Sequence, residues 1–174
     1  MSATAPIRPE KNEYASYYDK YVSLVPDADV VETLERQIED TLALLRGVGE
    51  ERAGHRYAPG KWSIKEVVGH LIDTERIFAY RALAIARGEQ KPLPGMDQNE
   101  YMAGANFDAR TLADLLDEFE RVRRSNVLML RGLSDEAWSR RGVASDNEVT
   151  VRAIAFIIAG HEAHHVQILR TRYL

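Results

Sequence analysis

Three of the five histidines in this sequence fall within five consecutive residues, His161-Glu162-Ala163-His164-His165. On a helix, side chains four positions apart share a face with Cβ atoms about 5–6 Å apart, so His161 and His165 could grip one ion between their rings. The apolar positions Ile154, Ile157, Ile158 and Ile168 extend the same stripe, and both rings should therefore point into a protein interior. His164 lies to one side of that pair and would replace His165 in a different register, a choice the spacing leaves open. His70 stands among Val67, Val68, Leu71 and Ile72, on or beside another apolar stripe. A lone inward histidine is usually a hydrogen-bonded core residue, but a helix pair joined by an inward histidine from a second helix is how bundles build metal sites. The expected ligands are His70, His161 and His165, holding one divalent metal ion per chain. Three neutral imidazoles leave the full 2+ charge on the ion and at least one coordination position open, as in catalytic rather than structural sites. Such an ion could lower the pKa of a bound water to about 7, polarise a carbonyl, or bind a substrate thiol as thiolate. Histidine ligands suit zinc, nickel, copper and iron alike.

The same five residues read as H-E-x-x-H, the zinc-protease pattern in which Glu162 would be the general base. Only nine residues follow His165, too few for the usual downstream third ligand, so Glu162 is expected on the helix surface. For orienting a ligand or moving a proton the candidates are Asp73, one turn after His70, Asp97 in a long loop, and His164. Each also reads as an ordinary surface group.

The elements that must carry these residues are helical. A first helix is expected from about Asp29 to Arg52, with Val31, Leu34, Ile38, Leu42 and Leu45 at three- and four-residue spacings. A second begins at the capping box Ser63-Ile64-Lys65-Glu66, flanked by Trp62 and Val67 as a hydrophobic staple, and ends near Gly88. A third runs from Asp108 or Thr111 to Arg131, and a fourth starts after Thr150. No useful strand-like alternation and no internal repeat appear, so the fold class is all-α, a four-helix bundle formed by one domain over residues 1–174. Residues 1–26 are a lead-in packing on that bundle through Tyr14, Tyr17, Tyr18 and Tyr21, to which no chemistry is assigned. The connection from Gly88 to Phe107 contains Pro92, Pro94 and Gly95, which exclude helix continuation. It is long enough to be a crossover between parallel helices two and three, which makes helices two and four antiparallel. His70 and His165 then stand at levels that agree within about one turn. The connection from Gly132 to Val149 should hold a helical turn near Ser134 to Trp138.

Composition removes several functions. With 174 residues, 45% hydrophobic, 29% charged and a net charge of −4, the chain is ordinary globular protein and a poor nucleic-acid binder. The basic run Arg121-Val122-Arg123-Arg124 follows Asp117 and Glu120 at four-residue spacing, which reads as a solvated face of ion pairs. There is no cysteine, hence no disulfide, thiolate nucleophile or sulfur ligand. Met1 to Asn12 lacks the apolar core of a secretion signal, and the apolar run Ala153 to Gly160 is far short of the roughly 20 residues of a membrane span. A cytoplasmic protein without nucleic-acid or membrane partners is expected.

The stretch Arg56-Tyr57-Ala58-Pro59-Gly60-Lys61-Trp62-Ser63, then Glu66 and Gly69-His70-Leu71-Ile72-Asp73-Thr74-Glu75-Arg76, resembles the DinB/YfiT-like family of candidate metalloenzymes. Leu93-Pro94-Gly95-Met96-Asp97-Gln98 and Gly160-His161-Glu162-Ala163-His164-His165 resemble it too, so the likeness spans nearly the whole chain. The resemblance implies a four-helix bundle in up-down-down-up order, and a nickel, zinc or similar ion on three histidines that map onto His70, His161 and His165. It also implies a homodimer as a common state. The first expected activity is a metal-dependent hydrolase acting on a small molecule through metal-activated water. The alternative is a metal-dependent transferase of a low-molecular-weight thiol such as bacillithiol or mycothiol, which suits a chain without cysteine. Arg56, Arg76 and Arg81 would then be candidate contacts for an anionic thiol, although each also reads as half of a surface ion pair. A third expectation is a non-enzymatic metal-binding stress-response module.

Overall fold

Side-chain caps decide where the four long helices begin. The structure, a computed structural model, describes residues 7–174; residues 1–6, at the start of the lead-in and of the segment judged not to be a secretion signal, lie outside the described residues. Helix α1 (Val30–Arg46) starts where the Asp29 carboxylate accepts from the backbone N–H of Val31 and Glu32. Helix α2 (Ile64–Ala86) starts at the expected box, with Glu66 N–H donating to Ser63 Oγ and Ser63 N–H to Glu66 Oε2. Helices α3 (Leu112–Arg131) and α4 (Val151–Ile168) start at Thr111 and Thr150, whose hydroxyls accept from Asp114 N–H and Ala153 N–H. Each cap satisfies a donor that the first helical turn leaves without a partner. At the far end of α2, Gly88 takes φ +91°, a left-handed stop that favours glycine.

Cross-links give the direction of every helix. Between α1 and α3, Glu35 pairs with Arg131, Glu39 with Arg124 and Arg46 with Glu120, so these two run antiparallel. Between α2 and α3, Arg76 pairs with Glu118 and Glu75 with Arg123, while Ser63 meets Asp108 just before both helices, so they run parallel. Between α1 and α4, Gln37 bonds the carbonyl of Ala159 and Thr41 bonds Glu162, again parallel. Finally α2 and α4 are antiparallel: the Tyr173 hydroxyl donates to the Trp62 carbonyl, and His70 meets His161. The order is up-down-down-up, and 88–107 is the crossover that two parallel neighbours require.

Three expectations need correction. The first helix does not reach Arg52: it stops at Arg46, and a separate short helix, Glu50–Ala53, follows. Gly47 and Gly49 break it, since each glycine costs about 1 kcal/mol in a helix interior and Gly49 is extended. The second connection holds the expected turn, Asp135–Ser139, but also an antiparallel hairpin of β1 (Arg141–Ala144) and β2 (Asn147–Thr150). Four-residue strands are too short to show alternation; their signal was the turn, where Ser145 (φ 51°) and Asp146 (φ 61°) take the left-handed geometry of tight hairpins. Leu93 of the crossover pairs with this hairpin, its N–H donating to the Val143 carbonyl at 2.8 Å. The third correction is the basic run. Arg121 and Arg124 form the expected pairs with Asp117 and Glu120, but Arg123 is only 1% exposed, at the centre of the bundle.

The apolar core falls into two clusters. One gathers Leu34, Phe78, Val127 and Ile154 to Ala159 with Tyr14, Val22 and Val25 of the lead-in; the other gathers Ile38, Leu42, Ile72, Phe119 and Leu169. A buried polar layer of Thr41, His70, Thr74, Glu75, Arg123, His161 and Glu162 lies between them. Among the described residues no helix is long and apolar enough to cross a membrane.

Candidate metal centre

Antiparallel packing of α2 on α4 brings three histidines together. His70, His161 and His165 offer ring nitrogens that all lie within 4.8 Å of one another. The Nε2 atoms of His70 and His161 are 3.1 Å apart, and the His161 and His165 rings are centred 4.5 Å apart. His164, whose register was left open, is outside the cluster, its ring edge-on to Tyr21 and His165. One turn after His70, the Thr74 hydroxyl stands 3.4 Å from His70 Nδ1, so a proton kept on that nitrogen leaves Nε2 facing the other rings. Trp62 packs on His70 at 4.8 Å and Tyr21 on His161 at 5.3 Å, covering part of each ring.

Burial controls the charge of this cluster. It pushes the pKa of His70 down to about 4. It pushes His165 to about 3, helped by His70 and His164, and takes His161 well below the ordinary imidazole value. All three are neutral at pH 7, with lone pairs available for coordination. Nitrogens bound tetrahedrally at about 2.0–2.1 Å from one zinc stand about 3.4 Å apart. The donor set, with one pair at 3.1 Å and no carboxylate among the three, therefore fits a single ion held by imidazoles.

Directly behind the histidines is the polar layer. Arg123 grips Glu75 through two hydrogen bonds of 2.6 Å, reaches Glu162 at 2.7 Å and donates to the Leu34 carbonyl at 3.0 Å. The Thr41 hydroxyl donates to Glu162 at 2.6 Å. Glu162 is thus 1% exposed rather than on the helix surface. Burial raises its pKa, opposed by Arg123 and Thr41. Its Oε1 accepts from Thr41 and its Oε2 pairs with Arg123, so both oxygens are engaged and the protease reading loses its base.

A cavity of about 390 Å³ opens beside the cluster, with His70, His161 and Thr74 at one end and Ser145 and Phe78 also on its wall. Tyr17, Tyr18 and Tyr21 line it, so the lead-in to which no chemistry was assigned forms a wall of the candidate site. The sequence carries a signal for this in Gly160, beside His161: a Cβ there would sit 2.0 Å from the Tyr21 carbonyl oxygen, so only glycine admits the lead-in backbone. Asp97 lines the cavity from the crossover but is exposed, its Oδ1 accepting from Asn99 and Glu100 N–H. Asp73 is half-buried on another side of α2; burial raises its pKa, with Arg76 and Glu118 as its charged neighbours. It is not brought to the histidines. Arg56 and Arg76 form the anticipated ion pairs, with Glu66 and Asp108 and with Glu118. Arg81 does not: it is buried, donating to the Pro94 carbonyl at 2.7 Å and to Ser145 Oγ at 3.1 Å.

Comparison with known proteins agrees with this architecture. A family model described as the DinB superfamily matches residues 33–169. A protein of Oceanobacillus iheyensis named as a candidate metal-dependent hydrolase is 24% identical over 140 residues, covering 78% of this chain and 77% of its own. The structure of YfiT from Bacillus subtilis, titled a candidate metal-dependent hydrolase with an unusual four-helix bundle topology, aligns over 93% of this chain and 91% of its own, with a TM-score of 0.68 and 16% identity. A mycothiol-dependent maleylpyruvate isomerase aligns over 83% of this chain and 61% of its own, with a TM-score of 0.66 and 16% identity. At these identities the two structural likenesses are likenesses of fold.

Proposed function

This chain belongs to the DinB superfamily, and from that premise we propose a metal-dependent hydrolase of a small molecule, with one divalent ion held by His70, His161 and His165. The observation that carries the reading is the convergence of the His70, His161 and His165 imidazoles, from two antiparallel helices, beside a 390 Å³ cavity that His70 and His161 line. The names of its relatives support a metal-dependent reaction. Zinc or nickel suits neutral nitrogen donors that leave a position open. Bound there, a divalent ion supplies Lewis acidity towards a carbonyl or towards water. The chain's own groups prepare the site: burial keeps the imidazoles unprotonated, Thr74 orients His70, and Trp62 and Tyr21 pack against the rings.

A second reading, transfer of a low-molecular-weight thiol, is favoured by the likeness to a mycothiol-dependent isomerase and by a chain without cysteine, which needs a thiol from outside. Elemental mass spectrometry of wild type, His70→Ala and His161→Ala tests the common premise. About one ion per chain, lost in both variants, is the expected result. A wild type that stays empty after reconstitution, or variants that keep the ion, would sink it. Ester and amide panels run beside monochlorobimane conjugation with different thiols then separate hydrolysis from thiol transfer.

A further inference from the structure

Arg81 is 4% exposed, yet among the described residues no carboxylate lies within ion-pair range of it. Its nearest polar neighbours are neutral: the Pro94 carbonyl, the Ser145 hydroxyl and the Tyr18 hydroxyl. The Phe78 ring lies against the guanidinium, 5.2 Å from its central carbon. Arg123 shows how this fold otherwise treats a buried guanidinium, matching it with Glu75 and Glu162. Taking a cation out of water without a counter-charge is costly, and the geometry shows where a counter-charge could arrive. Ser145, Tyr18 and Phe78, which all touch Arg81, line the cavity whose other end is His70, His161 and Thr74.

Two cations stand just behind that lining, Arg81 against Ser145 and Phe78 and Lys20 against the tyrosines. Lys20 Nζ sits over the Tyr17 ring at 3.8 Å and near the Tyr21 ring at 4.9 Å, on the tyrosine wall. The carboxylate on the lining is Asp97, exposed and already accepting two backbone N–H groups. Glu75 and Glu162 are turned towards Arg123. A divalent ion on the histidines would add positive charge beside the cavity. Between the two ends the wall is aromatic.

We propose that Arg81 determines specificity, and that the cavity takes a small carboxylate-bearing organic molecule. Its carboxylate accepts from the Arg81 guanidinium at the Ser145 end, its apolar body lies on the tyrosine and Phe78 wall, and its reacting group faces the histidines. This rests on the reading of the cavity as the substrate site.

The test uses phenylacetate and its uncharged analogue phenylacetamide, titrated calorimetrically into full-length wild type, Arg81→Met and Arg81→Lys, each metal-free and zinc-loaded. Wild type should bind phenylacetate about tenfold or more tightly than phenylacetamide in both forms, the advantage of a charge-assisted hydrogen bond over a neutral one. Arg81→Met should erase that preference while keeping phenylacetamide binding, and Arg81→Lys should keep part of it. No saturable phenylacetate binding, equal binding of the two probes by wild type, or a preference that survives in Arg81→Met overturns the proposal. An equal loss of both probes in Arg81→Met also overturns it, since that is what a mere tie between crossover and hairpin predicts. Should Arg81→Met fail to fold, the wild-type comparison and Arg81→Lys still decide. A metal-free preference for phenylacetate in a protein that takes up no zinc would keep Arg81 and refute the metal centre, so the two failures are distinguishable.

Discussion

Metal uptake by this site should be nearly indifferent to acid between pH 7.5 and pH 5.5. An imidazole of ordinary pKa, 6.5, is about nine-tenths protonated at pH 5.5, and protons compete with the ion at each ligand. Three such ligands would weaken apparent affinity about tenfold each, or about a thousandfold together. Here burial holds His70 at about 4 and His165 at about 3, with His161 well below the usual value. At pH 5.5 roughly 3% of His70 is protonated, and less of His165, so these two should change affinity by less than about twofold. Competition against a chromophoric chelator, corrected for the chelator's own protonation, measures this directly. Calorimetry at pH 6 in buffers of different ionisation enthalpy should find almost no proton released as the ion binds. A hundredfold loss of affinity on acidification, or release of about two protons, would refute the argument: burial would then not be holding the imidazoles unprotonated.

The same burial has a cost for the metal-free protein. Because the folded pKa of His70 is depressed, the unfolded chain protonates first; stability is full above pH 6.5 and is lost as pH falls towards 4, by about 2 kcal/mol from His70 alone at pH 5. Urea unfolding at pH 7.5 and pH 5 should show that loss, and metal should reverse it. Arg123→Met strands Glu75 and Glu162 in the core without their cation. It should cost about 3–5 kcal/mol, a fall in Tm on the order of 10 °C, and a calorimetric change under about 1 kcal/mol would contradict the assigned network. Gly160→Ala forces a Cβ against the Tyr21 backbone, so the lead-in must shift and Tyr21 must leave His161. A loss of about 1–3 kcal/mol in denaturant titration is expected, with altered Tyr21 resonances; an unchanged protein would argue against that close approach.

Much of the centre was legible along the chain because helix periodicity is local. His161 and His165 share a face for the same reason that Ile154, Ile157 and Ile158 do, and Ser63 with Glu66 marks a helix start within four residues. Pro92 and Pro94 stop helix continuation by their own chemistry, and the crossover followed from that, although a short helix, Gln98–Gly104, forms beyond them. His165 rather than His164 was decided by the angle at which α4 meets α2, which no single helix contains. The hairpin escaped because its strands are too short for a period and its register depends on a turn in left-handed geometry and on pairing with Leu93. Arg123, Glu162 and Arg81 looked like surface charges because charged residues usually are. Whether a charge can enter a core depends on a partner delivered from elsewhere, and Glu75 lies 48 residues from Arg123 in the chain. Sequence alone specifies which faces are apolar and where helices stop; only the packed bundle determines which charges are compensated, and so which one, Arg81, is buried behind a cavity wall without a counter-charge.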